Sequence, residues 1–279
     1  MQSFDIIGDG ASASTIIHIP HASRYIPADV RGLICLDDES LDAELNRLTD
    51  HYTDELFTID HDAVTVHRYP VSRYVADPER FSDDDDEPMS RRGQGAVYVS
   101  TVDGEMLRDG EDSAHREHLL NQYYWPHHAR LDEITARALA AHGRALIIDA
   151  HSFPGKPLKV DLDQALKRPD ICIGTVAGHT PNDLVRLLLD EFTESGLSVS
   201  IDRPYAGSIV PMHYFGKDYR VSSVMIELNR RLYLRDEPDD IGKKEPEFTQ
   251  LQTLLEKNIL KAVAFNNNIE EKIWKDMTS

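Results

Sequence analysis

Three runs of strand-forming residues in this chain each lead into a side chain that can bind a metal ion or move a proton. The runs and side chains are 16–19 before His21, 145–149 before His151, and 221–226 before Glu227. In an open α/β sheet, reacting groups collect outside the carboxyl ends of the strands. Two imidazoles and a carboxylate that lie far apart in sequence are therefore expected to meet at one edge of a sheet, an arrangement typical of zinc hydrolases.

Strands alternate with helices along the chain. The apolar patterns predict strands at 15–19, 63–68, 145–149, 170–174, 198–201 and 221–228. They predict helices from Asp37, over 113–142 with a kink or split at Pro126, over 180–196, and from Pro246. This order predicts an α/β fold of three layers, α/β/α, with a mostly parallel or mixed central sheet. The length of 279 residues and the 41% hydrophobic content favour one domain over residues 1–279.

The sequence signals for the start of the predicted helix over 180–196 are unusually clear. Thr180 and Asp183 are spaced as a capping pair, and Pro181 falls at the first predicted helical position.

Cys35 and Cys172 lie in apolar surroundings without a C-x-x-C spacing, which predicts two packed thiols and no disulfide.

The net charge of the chain limits the classes of partner that it is expected to bind. The formal net charge is −19, from 49 acidic and 30 basic residues, which disfavours unspecific binding to nucleic acid or to an anionic membrane. A small-molecule partner is favoured, and an anionic one would need a few well-placed arginines. The start of the chain lacks a secretory pattern and no apolar run of about 18 residues occurs, so a soluble cytoplasmic protein is expected.

Zinc in a hydrolytic site takes three protein ligands and leaves a position for water. His21 and His151 are candidate ligands, and His18 is a rival whose place inside a strand suggests packing. Asp50 would lie opposite the apolar stripe of a continuous helix, so it is a candidate ligand only if the helix breaks near Thr49. The competing carboxylates are Asp54, Asp77 and Asp149.

The remaining polar candidates have two interpretations each. Glu227 is either a general base or a charge that reaches solvent at a strand end. Arg73 and Arg80 lie among aromatic residues, where they could bind a substrate or pair with Asp77 or Glu79.

A series of distinctive blocks runs through most of the chain, at 20–23 with 26–27, 49–50 with 54–56, 72–75 with 79–81, 87–89 with 93–98, 123–128, 149–152, 204–208, 213–216 and 225–230. In their order and spacing, these blocks resemble the N-formylglutamate amidohydrolases, a family of zinc-dependent deformylases related in fold to the zinc carboxypeptidases.

The resemblance implies that Zn²⁺ is held by His21, Asp50 and His151 and that Glu227 is the catalytic carboxylate. It also implies that six residues shape a pocket for an N-acyl amino acid: Arg73, Arg80, Arg203, Tyr205, Gly207 and His213. One position departs from the family pattern, because Glu79 stands where the family's catabolic members tend to have Asn beside the arginine.

The function expected from these observations is hydrolysis of the formyl amide of N-formyl-L-glutamate or of a related N-acyl amino acid. Two alternatives stay open at this point. One is an amidase or peptidase for a different acylated substrate on the same scaffold, and the other is a metal-dependent binding protein without catalysis.

Overall fold

A mixed sheet forms the centre of the protein. In this computed structural model, the described residues are 6–7, 13–110, 112–235 and 246–268. The strands are β1 (Ile6–Ile7), β2 (Thr15–Ile19), β3 (Val64–Arg68), β4 (Ala145–Phe153), β5 (Ile171–Gly174), β6 (Val199–Ile201) and β7 (Val221–Asn229). Their order is β1-β3-β2-β4-β7-β5-β6. The pairs β1/β3 and β5/β7 are antiparallel and the others are parallel, which confirms the predicted mixed α/β sheet.

Helices connect the strands. They are α1 (Ala28–Arg31), α2 (Asp38–Leu48), α3 (Thr53–Leu56), α4 (Ser113–Leu119), α5 (Trp125–His142), α6 (Asn182–Glu194) and α7 (Glu247–Asn268). A π-helical turn, Leu120–Tyr124, joins α4 to α5, so the long predicted helix is interrupted directly before Pro126. None of the helices in the described ranges is both long and apolar enough to cross a membrane.

The helices cover both faces of the sheet. Alternation along β4 points Ile148 towards Leu188 of α6 and Leu255 of α7 in one apolar cluster. Ile147, one residue earlier, packs with Leu131 of α5 in a separate cluster on the opposite face. The three-layer arrangement is therefore confirmed for the described residues.

Strand β4 is longer than the sequence predicts, because it continues from Asp149 to Phe153. The extra residues continue the ladder with β7, in which His151 is paired with Glu227 and Phe153 with Asn229. Residues 150–153, which lie beyond the end of the predicted strand, are thus held in the sheet by β7, and His151 lies inside the strand.

Three local predictions have different outcomes. A break after Leu48 separates α2 from α3, as the candidacy of Asp50 required. The capping pair is wrong: Pro181 is the N-cap of α6, and the hydroxyl of Thr180 instead donates to the carbonyl of Ser223. Cys172 is buried as predicted, but Cys35 is exposed.

Candidate active site

Four polar side chains lie on the α5 face of the sheet. Side chains alternate along a strand, so Asp149 and His151 of β4 share the face occupied by Ile147. His18 of β2 is in register with Asp149, and Glu227 of β7 is in register with His151. All four are buried, so the sheet itself brings residues from three strands together.

Three potential ligand atoms converge beside this row. Nδ1 of His21 lies 3.2 Å from Nδ1 of His151, and Oδ2 of Asp50 lies 3.2 Å from Nδ1 of His151 and 3.7 Å from Nδ1 of His21. Neighbouring ligand atoms of a tetrahedral zinc ion are roughly 3.3 Å apart. The three donors therefore have the type and spacing for a zinc site with a further position open.

The break between α2 and α3 places Asp50. Thr49 ends α2 in an extended conformation, and the backbone N–H of Asp50 donates to the carbonyl of His21 at 2.9 Å. Asp50 is 2% exposed, so the solvated position that a continuous helix would give it does not occur.

Each imidazole is held by a second carboxylate at its other ring nitrogen. Nε2 of His21 lies 2.8 Å from Oδ1 of Asp77, and Nε2 of His151 lies 3.0 Å from Oδ1 of Asp149. Partners of this kind orient metal-binding histidines and set which nitrogen faces the metal. Asp77 and Asp149 thus lie behind the ligands, whereas Asp54 pairs with Arg68 at 2.9 Å.

Electrostatics of the cluster favour deprotonated carboxylates. Burial alone would raise the pKa of Asp50, but the hydrogen bonds and charges of His151 and His21 lower it. Burial alone would lower the pKa of His151, yet Asp149 and Asp50 raise it well above its ordinary value. Acidic surroundings that stabilise a charged imidazole also suit a metal cation, which would displace the proton.

Glu227 differs from the other carboxylates. Its Oε2 atom is buried without a hydrogen-bond partner. Burial and the nearby charge of Asp50 raise the pKa of Glu227 to about 8, against the opposing effects of His151 and Arg230. A carboxyl group with a pKa near neutrality can both accept and donate a proton, as general acid–base catalysis requires.

A cavity of about 570 Å³ opens over these groups. Its wall includes His21, Asp50, His151 and Glu227. Of the six residues that the resemblance assigns to the substrate pocket, four line this cavity: Arg73, Arg80, Tyr205 and Gly207.

Arg203 and His213 are not on the cavity wall. The guanidinium of Arg203 pairs with Asp163 at 3.0 Å and is largely exposed, while the exposed ring of His213 contacts the ring of Tyr214. A role for these two residues in substrate binding stays a prediction.

Glu79 lines the cavity beside Arg80, but its carboxyl group does not form an ion pair with Arg80. Its Oε1 atom lies 3.2 Å from Nδ1 of His18, and no ion pair of 4.0 Å or less joins it to Arg80 in the described part of the chain. With His18 and Asp149 it forms a second group that could hold a metal ion. Arg80 is thus free of the carboxylate that the sequence placed next to it.

Arg230 is a site residue that the sequence reasoning did not assign. Its Nη2 atom donates to Oδ1 of Asp50 at 3.2 Å, and its Nη1 atom donates to the carbonyl of Arg47 at 2.7 Å. Its position three residues after Glu227, just past a buried strand, was an available signal.

Comparisons with known proteins show the family of the chain. A family model described as N-formylglutamate amidohydrolase matches residues 13–234. The chain belongs to the N-formylglutamate amidohydrolase family. Family members are hydrolases that act on an amide C–N bond of a small molecule.

Relatives of known name support the family membership. An N-formylglutamate deformylase of Pseudomonas aeruginosa is 30% identical over 233 residues, which cover 80% of this chain and 82% of the relative. One of Pseudomonas putida is 26% identical over 229 residues, or 79% of this chain and 82% of the relative.

Solved structures share the fold. The crystal structure of N-formylglutamate amidohydrolase from Ralstonia eutropha JMP134 matches with a TM-score of 0.79 and 21% identity, covering 94% of this chain and 97% of the other. A gene product of Agrobacterium tumefaciens matches with a TM-score of 0.65 and 20% identity, over 93% and 95% of the two chains.

Proposed function

We propose that this protein is a zinc-dependent amidohydrolase that cleaves the acyl amide of an N-acyl amino acid, with N-formyl-L-glutamate as the reference substrate. The observation that carries the proposal is the convergence of His21, Asp50 and His151 around one point, beside the unpaired carboxyl group of Glu227. Two imidazoles, one carboxylate and a nearby proton carrier are the parts that hydrolytic zinc sites use.

His21, Asp50 and His151 would hold the ion through the three converging atoms. A bound zinc ion would polarise the scissile carbonyl group and lower the pKa of the attacking water. Asp77 and Asp149 keep the two imidazole rings oriented, since each accepts a hydrogen bond from the ring nitrogen that faces away from the cluster.

Glu227 would carry the proton. As a carboxylate it accepts a proton from the water that attacks the acyl carbon. The C–N bond then breaks, and Glu227 delivers the same proton to the departing nitrogen. The immediate products are a carboxylic acid, formic acid in the case of a formyl group, and a free amine. The remaining proton of the acid then passes to the amine, so the released species are a carboxylate and an ammonium group and all atoms and charges balance.

Arg80 would hold the carboxylate of the substrate. Its Nε atom is buried and has no hydrogen-bond partner, and its guanidinium lines the cavity. An arginine with an unused N–H group in a partly buried site is suited to bind a carboxylate.

Formate release from N-formyl-L-glutamate by zinc-loaded and chelator-stripped protein tests the proposal. We expect turnover with the loaded protein, a loss of at least about a hundredfold on stripping, and recovery when zinc is returned. Equal turnover by the loaded and stripped proteins would contradict the zinc dependence. A zinc-loaded protein that hydrolyses neither this compound nor other N-formyl and N-acetyl amino acids would contradict the amidohydrolase function.

A further inference from the structure

The positive charge on the cavity wall limits how many carboxylates of a bound substrate it can neutralise. Among the described residues, this wall has three arginines, Arg73, Arg80 and Arg230, and no lysine. Arg230 is fully engaged, since it donates to Asp50, to the carbonyl of Arg47 and to the hydroxyl of Ser152. It neutralises a candidate ligand and is not available to a substrate.

Arg73 and Arg80 share one acidic partner. Nη2 of Arg73 lies 2.8 Å from Oδ2 of Asp77, and Nε of Arg80 lies 4.0 Å from the same oxygen. Two guanidinium groups and one carboxylate leave a net charge of one. This part of the wall can therefore compensate one substrate carboxylate, and Arg80 has the unpaired N–H group to bind it.

Apart from these arginines and the histidines of the ligand cluster, the described residues of the wall include no side chain that is positively charged near pH 7. His128 is on the wall, but burial lowers its pKa to about 4, so its ring is neutral near pH 7. Asp161 is already paired with Arg168 at 2.7 Å. A second carboxylate would be desolvated without a partner, which is costly.

The outer part of the cavity is apolar. Phe81, Leu162, Met212 and Phe215 line it and are all exposed to solvent. Exposed apolar side chains grouped around one cavity mark a surface that binds apolar ligand groups. At about 570 Å³ the cavity also falls in the range of roughly 300–1,000 Å³ that holds drug-sized ligands, more room than a formyl glutamate requires.

We infer that the site prefers an N-acyl amino acid with a single carboxylate and an apolar side chain over a dicarboxylate such as N-formyl-L-glutamate. This inference rests on the proposed function. The α-carboxylate binds Arg80, the acyl amide faces Glu227 and the ligand cluster, and the side chain contacts the wall formed by Phe81, Leu162, Met212 and Phe215.

Steady-state kinetics with three formyl compounds test the inference. We expect kcat/KM for N-formyl-L-leucine to exceed that for N-formyl-L-glutamate by about tenfold or more, mainly through KM, because burial of an aliphatic side chain replaces an unpaired charge. N-formyl-L-glutamine, which has the size of glutamate without its charge, should give an intermediate value. Equal or higher kcat/KM for N-formyl-L-glutamate would overturn the inference while leaving the amidohydrolase function intact.

A charge introduced into the apolar wall gives a second test. Met212 is 60% exposed, so Met212→Lys can be accommodated without a buried charge. The substitution should shift the preference towards N-formyl-L-glutamate by about threefold or more. The matched control is Leu166→Lys, at a position that is 82% exposed and off the cavity wall, and it should not change the preference. Identical preferences in the two variants would contradict the assignment of this wall.

Binding separates the inference from the proposed function. Calorimetry with zinc-loaded Glu227→Gln protein measures the dissociation constants of the leucine and glutamate compounds without turnover. Tighter binding of N-formyl-L-leucine supports the inference even if no compound is hydrolysed by the wild type, an outcome that would overturn the proposed function alone. Tighter binding of N-formyl-L-glutamate overturns the inference.

Discussion

At the scale of single residues, Glu227 combines a buried side chain, an Oε2 atom without a hydrogen-bond partner and a place on the cavity wall beside the ligand cluster. A buried carboxyl group without a partner costs stability, and such costs are retained where they serve chemistry. The sequence made Glu227 a candidate through its position at the end of an apolar run. Its isolation from partners could not be predicted, because that depends on loops far away in the chain.

Replacing Glu227 should separate metal binding from turnover. We expect Glu227→Gln to retain zinc at the wild-type stoichiometry and to lose about 10² to 10⁴ in kcat, because the amide cannot accept the proton. Elemental analysis and formate release check the two parts. Glu194→Gln, at an exposed position near the end of α6, is the charge-matched control. Unchanged kcat in Glu227→Gln would remove this residue from the mechanism.

The same substitution should stabilise the metal-free protein. The folded pKa of Glu227 is about 8, against an ordinary value of 4.5, so the folded state holds a proton that the unfolded state releases. This linkage favours folding below about pH 4.5 and is lost as pH rises towards 8. Glu227→Gln should therefore gain stability relative to wild type across this range, on the order of 1–3 kcal/mol at pH 7.

Thermal unfolding of the metal-free wild type and of Glu227→Gln at pH 5, 7 and 8.5 measures this difference. A difference that stays constant with pH, or a variant that is less stable at pH 8.5 than at pH 5 relative to wild type, would contradict the raised pKa.

At the scale of elements, the site depends on the parallel strands β2, β4 and β7. Their alternation and register explain why His18, Asp149, His151 and Glu227 share one face. The strands were predictable from apolar runs, and so was the grouping at their carboxyl ends. The extension of β4 was not, because residues 150–153 are held in the sheet by β7, and local sequence does not report such a partner.

The contact between the residue after β7 and the end of α2 is the part of the site that sequence patterns could not predict. Arg230 follows β7 directly, and its guanidinium donates to the carbonyl of Arg47 near the end of α2 and to Asp50 just after it. This side chain thus joins the end of α2 to Asp50, in addition to the bond from the backbone N–H of Asp50 to the carbonyl of His21. The resemblance supplied the Asp50 assignment, whereas helical periodicity argued against it.

Removing the guanidinium of Arg230 should loosen the metal site. We expect Arg230→Met to weaken zinc binding by about 10- to 100-fold, the usual effect of losing a group that orients a ligand, as measured by competition with a chelator. Arg231→Met, which alters the adjacent and more exposed arginine paired with Asp170, is the matched control. Equal zinc affinities in the two variants would show that Arg230 does not position Asp50.

At the scale of the whole molecule, one mixed sheet organises the site, since His151 and Glu227 lie in its strands and His21 follows the end of β2. The α/β class was predictable because each strand and helix shows its own period in the sequence. The strand order and the antiparallel β5 were not, since they depend on long-range packing. A single domain over residues 1–279 stays a prediction.

Removing the metal should lower the stability of the whole fold, because His21, Asp50 and His151 come from three separate segments that the ion would join. Zinc at about a hundredfold excess over its dissociation constant should add roughly 2.7 kcal/mol, or about 4–6 °C in Tm for a chain of this size. Calorimetry of loaded and stripped protein measures this shift.

The same calorimetry tests the prediction of a single domain. One cooperative transition in both samples is expected for a single domain, and two separated transitions would contradict that prediction.

The most direct test of the central claim is an anomalous difference map from a zinc-loaded crystal, recorded on both sides of the zinc absorption edge. We expect a strong peak within coordination distance of Nδ1 of His21, Oδ2 of Asp50 and Nδ1 of His151. A map with its main peak at the group of His18, Glu79 and Asp149, or with no peak at the three ligands, would contradict the claim.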